Sequence, residues 1–298
     1  MDKHDLAQQL EVLGCRVLVD EPMAAHTSFR IGGPADLFVS ATSEQLREAV
    51  RLCRKVNIPY MVIGNGSNLL VSDAGVDGVV LQLSAQDAVF EEEFVIASAG
   101  MSLGKLCLEA CEHGLTGLEF AYGIPGSVGG GVYMNAGAYG GELADVLEEV
   151  TALDEGGNTF ILHKHELNLG YRHSVFMEKP YTVLKATLRL KADSPTAIRA
   201  RMDDFLSRRK EKQPLEYPSG GSFFKRPAGH FAGALIEQCG LKGFTVGGAQ
   251  VSEKHAGFVI NRGGATCADV MELCRQVQEK VWETFGVRLE REVQYIGR

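Results

Sequence analysis

No stretch of the chain is apolar over the ~20 residues that a membrane-spanning helix needs, and the polar opening Met1-Asp2-Lys3-His4-Asp5 leads into no apolar segment. No secretory signal is therefore expected, and the cytoplasm is the default location. Excess positive charge is also missing. The formal net charge is −8, which argues against a nucleic-acid partner while leaving room for a local basic pocket around a phosphorylated small molecule. Nothing indicates a membrane or an obligate protein partner. The seven cysteines, at 15, 53, 107, 111, 239, 267 and 274, are odd in number and contain no C-x-x-C pair. That pattern supports neither a disulfide framework nor a zinc site, so no metal is expected. There is no G-x-x-x-x-G-K-[ST], and thus no P-loop. Ser127 is not a nucleophile elbow, because Pro125 occupies the first glycine position of G-x-S-x-G. Internal repeats and low-complexity linkers are absent.

What remains is an ordinary globular composition. The 298 residues are 45% hydrophobic and 23% charged, enough for two or three compact units each with a core. Residues 4–17 read as a short helix. Ala35–Val39 reads as a strand, Thr42-Ser43-Glu44 as the cap of a helix with Leu46, Val50, Cys53 and Val56 on one face, and Tyr60–Ile63 as a buried strand feeding a glycine turn. Further strands are expected at 79–83, 94–97, 146–153, 159–162, 182–190, 258–260 and 287–296. Helices are expected at 103–113, from Ser194-Pro195 to about Lys212, at 233–239 and at 267–285. Mixed but not regularly alternating elements predict an α+β fold.

Two glycine-rich segments stand out. The first, Gly64-Asn65-Gly66-Ser67-Asn68-Leu69-Leu70, offers backbone amides and small polar side chains, which suits a diphosphate. It is not a Rossmann fingerprint, since Leu69 stands where the third glycine belongs. The second runs from Tyr122-Gly123-Ile124-Pro125-Gly126-Ser127-Val128-Gly129-Gly130-Gly131 to Asn135-Ala136-Gly137-Ala138-Tyr139-Gly140-Gly141. So many glycines inside a domain are costly in backbone entropy, and a ligand lying against the backbone would account for them. A surface loop is the alternative.

Three polar sites could do chemistry. Arg172, in Tyr171-Arg172-His173-Ser174, could hold a carboxylate or phosphate. Ser222 lies in Gly220-Gly221-Ser222-Phe223-Phe224-Lys225-Arg226, a hydroxyl placed beside cations. Glu290 and Glu292, two apart in the expected last strand, would share one face. Each could instead be a plain surface or turn residue. His163 and His165 lack a third ligand at useful spacing and read as exposed.

Taken in order, His26-Thr27-Ser28-Phe29-Arg30-Ile31-Gly32-Gly33, then G-N-G-S-N-L-L from Gly64, I-P-G-S-V-G-G from Ile124, N-A-G-A-Y-G from Asn135, G-Y-R-x-S from Gly170, G-S-F-F-K from Gly221 and L-E-R-E-V from Leu289 resemble the UDP-N-acetylenolpyruvoylglucosamine reductase family along nearly the whole chain. The resemblance is to a short form without the tyrosine-bearing substrate loop. It implies a two-subdomain FAD-binding fold of the vanillyl-alcohol-oxidase type plus a C-terminal α+β substrate domain. The implied boundaries are 1–83 joined by a C-terminal strand at 286–298, then 84–195, then 196–285.

Non-covalent FAD would be held by Gly64, Asn65, Gly66, Ser67 and Asn68, by Ile124, Pro125, Gly126, Ser127, Gly129 and Gly130, and by Asn135, Ala136 and Gly137. The implied reaction passes a hydride from NADPH by way of FAD to the β-carbon of the enolpyruvyl sugar nucleotide, yielding UDP-N-acetylmuramate for peptidoglycan. Arg172 and Glu292 would stabilise the enolate-like species and Ser222 would protonate the α-carbon. Glu292 beside an enediolate makes sense only if it carries or shares a proton. Tyr171, Lys212, Lys225 and Arg226 would meet the UDP-sugar. Two alternatives stay open. One is another FAD-dependent alcohol or lactone oxidase, although no His or Cys between Val62 and Val71 could tether a flavin. The other is a non-enzymatic nucleotide-binding protein.

Overall fold

A computed structural model describes residues 2–298; Met1, the first residue of the polar opening stretch, lies outside them. The chain divides into two compact units. The first comprises Met1–Val19, Leu37–Asn65 and Gly78–Arg208, the second Asp20–Asp36, Gly66–Asp77 and Arg209–Arg298. Seven helices occur among the described residues: α1 (Lys3–Val12), α2 (Ser43–Lys55), α3 (Leu103–Glu112), α4 (Val128–Tyr133), α5 (Pro195–Lys212), α6 (Ala232–Gln238) and α7 (Cys267–Phe285).

In the first unit, five antiparallel strands run in the order Thr159–His163, Leu147–Leu153, Thr182–Arg189, Phe94–Ser98, Ala88–Glu91. Val150, Ala152, Ala186, Leu188, Val95 and Ala97 are fully buried, the alternation expected of a sheet with one covered face. α4 packs on the Thr182–Arg189 strand. A four-stranded sheet has the order Arg16–Pro22, Pro34–Ala41, Val76–Leu83, Tyr60–Ile63. Its last two members are parallel, with Tyr60 opposite Val79 and Ile63 opposite Gln82. The Tyr60–Ile63 strand therefore ends where the first glycine segment begins. α2 starts with a full capping box between Thr42 and Gln45 and buries Leu46, Ala49, Val50 and Cys53, the spacing read from the sequence.

The second unit has its own core around Phe29, Phe223, Val270, Leu273, Val277 and Val281. Each of these large side chains contributes about 1.5–3 kcal/mol of burial. Its sheet runs Ser219–Ser222, Phe258–Asn261, Ala249–Val251, Thr245–Val246. A separate parallel pair joins Leu69–Val71 to Gln294–Ile296, with Gln294 opposite Leu69. α7 stops at Gly286, whose φ of 66° is the left-handed turn that glycine supplies.

Three expectations need correction. The helix expected over 4–17 ends at Val12, and Arg16–Pro22 is a strand. Gly14, at φ 83°, breaks the helix that the leucine spacing alone would continue. The surface loop kept as the alternative for the second glycine segment is interrupted, because Ser127 caps the six-residue α4. The strand expected over 287–296 is regular only at Gln294–Ile296. Glu290 and Glu292 precede it, so they do not share a strand face.

Candidate functional site

Gly64 and Asn65, the part of the first glycine segment that lies in the first unit, meet the second segment there. A Cβ on Gly64 would lie 2.4 Å from Ser127 Oγ and 3.6 Å from Gly130 Cα. Asn65 Nδ2 donates to the Pro125 carbonyl at 3.5 Å, and Gln82 Nε2 donates to the Gly64 carbonyl at 2.9 Å. The turn continues through Gly66, at φ 62°, where a Cβ would come 2.1 Å from the His26 carbonyl oxygen. Only glycine is compatible with both conditions. The Gly66 carbonyl accepts from the amides of Ser28 and Leu69. Among the described residues, the amides of Asn65, Gly66 and Ser67 have no protein acceptor. Three successive free amides at a left-handed turn form a concavity for an anion. This donor set fits the diphosphate of FAD, with direction but no formal charge.

The second segment spends its amides differently. Val128 N–H donates to Met101, Gly129 N–H to Ala99 and Gly131 N–H to Ser127, each at 2.8 Å, and Gly130 N–H donates to Ser127 Oγ at 3.2 Å. The start of α4 is thus satisfied internally. Several glycines there answer to packing: a Cβ on Gly129 would meet Ala99 Cβ at 2.9 Å, and one on Gly141 would meet the Phe120 ring at 2.8 Å. Close approach of protein to protein explains much of the glycine content that the sequence alone assigns to a ligand.

Arg172 belongs to the first unit. Gly170 and His173 exchange amide–carbonyl hydrogen bonds at 3.1 Å, so Tyr171 and Arg172 form the tip of a two-residue turn. Arg172 has φ 53°, a left-handed backbone that costs a non-glycine residue about 1–3 kcal/mol. The turn is tied down from below. Asn135, fully buried and itself at φ 41°, donates to the Gly170 carbonyl at 2.9 Å and accepts from Ala144 N–H at 2.9 Å. Ser174 Oγ donates to the Tyr133 carbonyl at 2.7 Å. The Arg172 guanidinium donates to the Gly137 carbonyl at 3.0 Å and lies 5.3 Å from the Tyr171 ring centroid. Tyr171 is exposed.

Ser222 and Glu292 belong to the second unit, which brings their backbones together. Ser222 sits opposite Phe258 after a register irregularity at Gly221, whose φ is 80°. A bulge of this kind re-aims the following side chain. Phe223 and Phe224 are buried anchors and leave Ser222 exposed. The Glu292 amide donates to the Phe223 carbonyl at 2.8 Å, and the Lys225 amide to the Glu290 carbonyl at 2.8 Å. Asn68 Nδ2 donates to the Glu292 carbonyl at 3.1 Å, and the Gln294 amide donates to the Asn68 carbonyl at 2.9 Å. Glu292 is half-buried, whereas Glu290 is 76% exposed and lies 3.6 Å from Lys225 Nζ. Arg226 stacks 4.5 Å from the centroid of the exposed Phe231 ring, and Lys212 is exposed at the end of α5. The sequence reading missed Asn135 as an internal tie and Gln294 altogether. The first signal was available as a polar residue amid small apolar ones; the second had none.

A family model described as the UDP-N-acetylenolpyruvoylglucosamine reductase C-terminal domain matches residues 213–296, and one described as an FAD binding domain matches residues 34–163. The chain is 54% identical over 283 residues to UDP-N-acetylenolpyruvoylglucosamine reductase of Clostridium botulinum strain Hall, covering 94% of this chain and 92% of that one. The chain belongs to the UDP-N-acetylenolpyruvoylglucosamine reductase family. The Clostridium perfringens SM101 member is 50% identical over 95% of this chain and 93% of its own. The solved reductase from Thermus caldophilus superposes with a TM-score of 0.81 at 37% identity, over 94% of this chain and 98% of that one. A berberine bridge enzyme variant, at TM-score 0.51 and 15% identity over 64% of this chain and 44% of that one, shares the fold of the flavin part. The fold is thus the vanillyl-alcohol-oxidase-type FAD-binding fold followed by the family's C-terminal domain. The chain is an FAD-binding, NADPH-dependent oxidoreductase, a UDP-N-acetylmuramate dehydrogenase of peptidoglycan precursor synthesis acting on a UDP-sugar. An oxidase of other substrates and a non-enzymatic binding protein are set aside by these relatives.

Proposed function

We propose that Arg172, Ser222 and Glu292 carry the reduction of the enolpyruvyl group, and that residues 64–68, 124–130 and 135–137 hold the cofactor. The observation that carries this reading is the second unit's hydrogen-bonded join of three segments. The Ser222 strand meets Glu292 through Phe223, and Glu292 meets the glycine loop through Asn68. The buried Leu70, Phe223 and Val293 pack in one core and bring the three segments together, while Ser222 is left exposed and Glu292 half-buried, open to a ligand.

FAD supplies a two-electron carrier between NADPH and the sugar nucleotide. The free amides of Asn65, Gly66 and Ser67 would hold its diphosphate, and Asn65 ties the two glycine segments together through the Pro125 carbonyl. Hydride arriving at the β-carbon leaves negative charge on the α-carbon and the substrate carboxylate. The Arg172 guanidinium stabilises that charge. Its strained, hydrogen-bonded turn fixes its position before substrate arrives, so little reorganisation is needed. Ser222 Oγ donates its proton to the α-carbon. Exposed at the end of a bulge, it is free to meet substrate. Glu292 contributes in the protonated or proton-sharing form, offering the enolate oxygen an acidic proton that an amide does not have.

Tyr171, Lys212, Lys225 and Arg226 bind the UDP-sugar's anionic and polar groups. The reading divides the chain into an FAD-binding part of 1–83 with 286–298, a second FAD-binding part of 84–195, and a substrate domain of 196–285. The gap between the two family matches, from residue 163 to residue 213, contains the boundary at 195. A cytoplasmic enzyme without nucleic-acid, membrane or obligate protein partners belongs to the same reading; no helix among the described residues is long and apolar enough to cross a membrane. The test is substitution of each of the three residues. Arg172→Ala, Ser222→Ala and Glu292→Gln should each slow reduction of the enolpyruvyl sugar at least a hundredfold. Retention of wild-type turnover by any one removes that residue from the mechanism.

A further inference from the structure

The main chain of Glu292 is bonded at every polar atom. Its N–H donates to the Phe223 carbonyl at 2.8 Å. Its carbonyl accepts from two side-chain amides, Asn68 Nδ2 at 3.1 Å and Gln294 Nε2 at 3.2 Å. Gln294 closes the arrangement, because its own N–H donates to the Asn68 carbonyl at 2.9 Å. The chain bends between Glu292 and Gln294 around the buried Val293. The last strand then runs parallel to Leu69–Val71. With the Phe224–Arg291 bridge before it and the buried Val293 after it, these hydrogen bonds fix the main chain from which the Glu292 side chain leaves.

We propose that Gln294 is a positioning residue for Glu292. It folds back two residues, fills the second lone pair of the Glu292 carbonyl and locks the bend that aims the carboxyl group. It thereby links the orientation of Glu292 to the glycine loop through Asn68. The inference rests on the role given to Glu292 above. No contact of Gln294 with substrate or cofactor is required, which separates it from Arg172, Ser222 and Glu292.

The experiment is a double-mutant cycle on the full-length FAD-loaded enzyme with Gln294→Leu, Glu292→Gln and the pair, joined by Gln294→Glu. A Gln294→Leu side chain keeps the size and loses the donor. It should lower kcat for sugar reduction about tenfold, the effect of losing one hydrogen bond, while KM stays within about twofold. In the double variant the Gln294→Leu change should add nothing to the loss already caused by Glu292→Gln, because there is no longer an acid to aim. Gln294→Glu can donate only when protonated, so its activity relative to wild type should rise as pH falls. A thermal melt of each variant checks that the fold is retained.

Additive losses in the cycle, or a kcat for Gln294→Leu equal to wild type while Glu292→Gln is impaired, would overturn the proposal and leave the role of Glu292 standing. A fully active Glu292→Gln enzyme would remove that role, and the proposal with it. Should Gln294→Leu fail to fold, the pH dependence of Gln294→Glu decides alone: a profile parallel to wild type contradicts the inference.

Discussion

At Arg172 a left-handed backbone and a charged side chain coincide, and the strain is held by bonds from Asn135 rather than by substrate. Replacing Asn135 with leucine removes both amide bonds while keeping the volume. It should reduce sugar turnover more than tenfold and lower stability by about 1–3 kcal/mol, the cost of leaving buried backbone groups unpaired. Steady-state kinetics and a denaturant titration check both. The sequence singled out Arg172 but offered no view of its turn, because positive φ at a non-glycine residue leaves no mark in the sequence pattern.

The thiols make a second prediction at this scale. Burial pushes Cys53 up to about 11 and raises Cys107 and Cys274 further. Among the described residues, Cys239 is half-buried and the other six thiols are buried. At pH 8 a thiol reagent should label Cys239 quickly in the native protein, and all seven cysteines after unfolding. Rapid native labelling of Cys107 would contradict the burial described here.

At the scale of elements, caps and ion pairs hold the parts that carry the site. Asp73 accepts the amides of Cys267 at 2.8 Å and Ala268 at 3.0 Å, adding to the Thr266–Asp269 capping box of α7. Asp73→Ala should cost about 1–2 kcal/mol, read as a lower midpoint in urea.

In the first unit, the buried Glu119 meets Thr116 Oγ1 at 2.6 Å, Gly117 N–H at 2.8 Å and Arg201 at 2.9 Å. Burial acts to raise its pKa, but those hydrogen bonds outweigh it and the net displacement is downward. A carboxyl lowered in the folded state adds stability above its unfolded pKa and loses it as pH falls through the folded value. Wild type should therefore lose more stability on acidification below about pH 4.3 than Glu119→Gln does, and be the more stable of the two at pH 7.

Helices were the most legible elements. α2 and α7 carry capping residues and an unbroken apolar stripe, and their limits match the reading to within a residue or two. Short strands were less so. Ala88–Glu91 alternates between half-buried and exposed residues, and its apolar run of three, Ala88-Val89-Phe90, is too short to mark it. The tail alternates like a strand over ten residues but pairs regularly over three, since a bend at Val293 interrupts it.

Across the whole chain, the ordered set of motifs made the family legible where no single motif could. The glycine segments were read as ligand-lining, yet much of their glycine serves close packing against Ala99, Phe120 and the His26 carbonyl. Composition cannot separate the two causes, because both forbid a Cβ. On the reading proposed above, the free amides at Asn65, Gly66 and Ser67 would mark the ligand-lining part, and ligand binding tests it. FAD at a hundredfold excess over its dissociation constant should stabilise the apoprotein by about 2.7 kcal/mol, and replacing Gly66 with alanine should abolish most of that gain.

The central claim is that FAD held by the glycine segments passes electrons to a sugar whose charge and proton are managed by Arg172, Ser222 and Glu292. An anaerobic two-step absorption experiment tests it most directly. NADPH should bleach the flavin band of wild type, and the enolpyruvyl sugar nucleotide should restore it with one equivalent, while Ser222→Ala should bleach and then recover at least a hundredfold more slowly. A protein that cannot be reconstituted with FAD, or a Ser222→Ala variant that recovers as fast as wild type, would contradict the account.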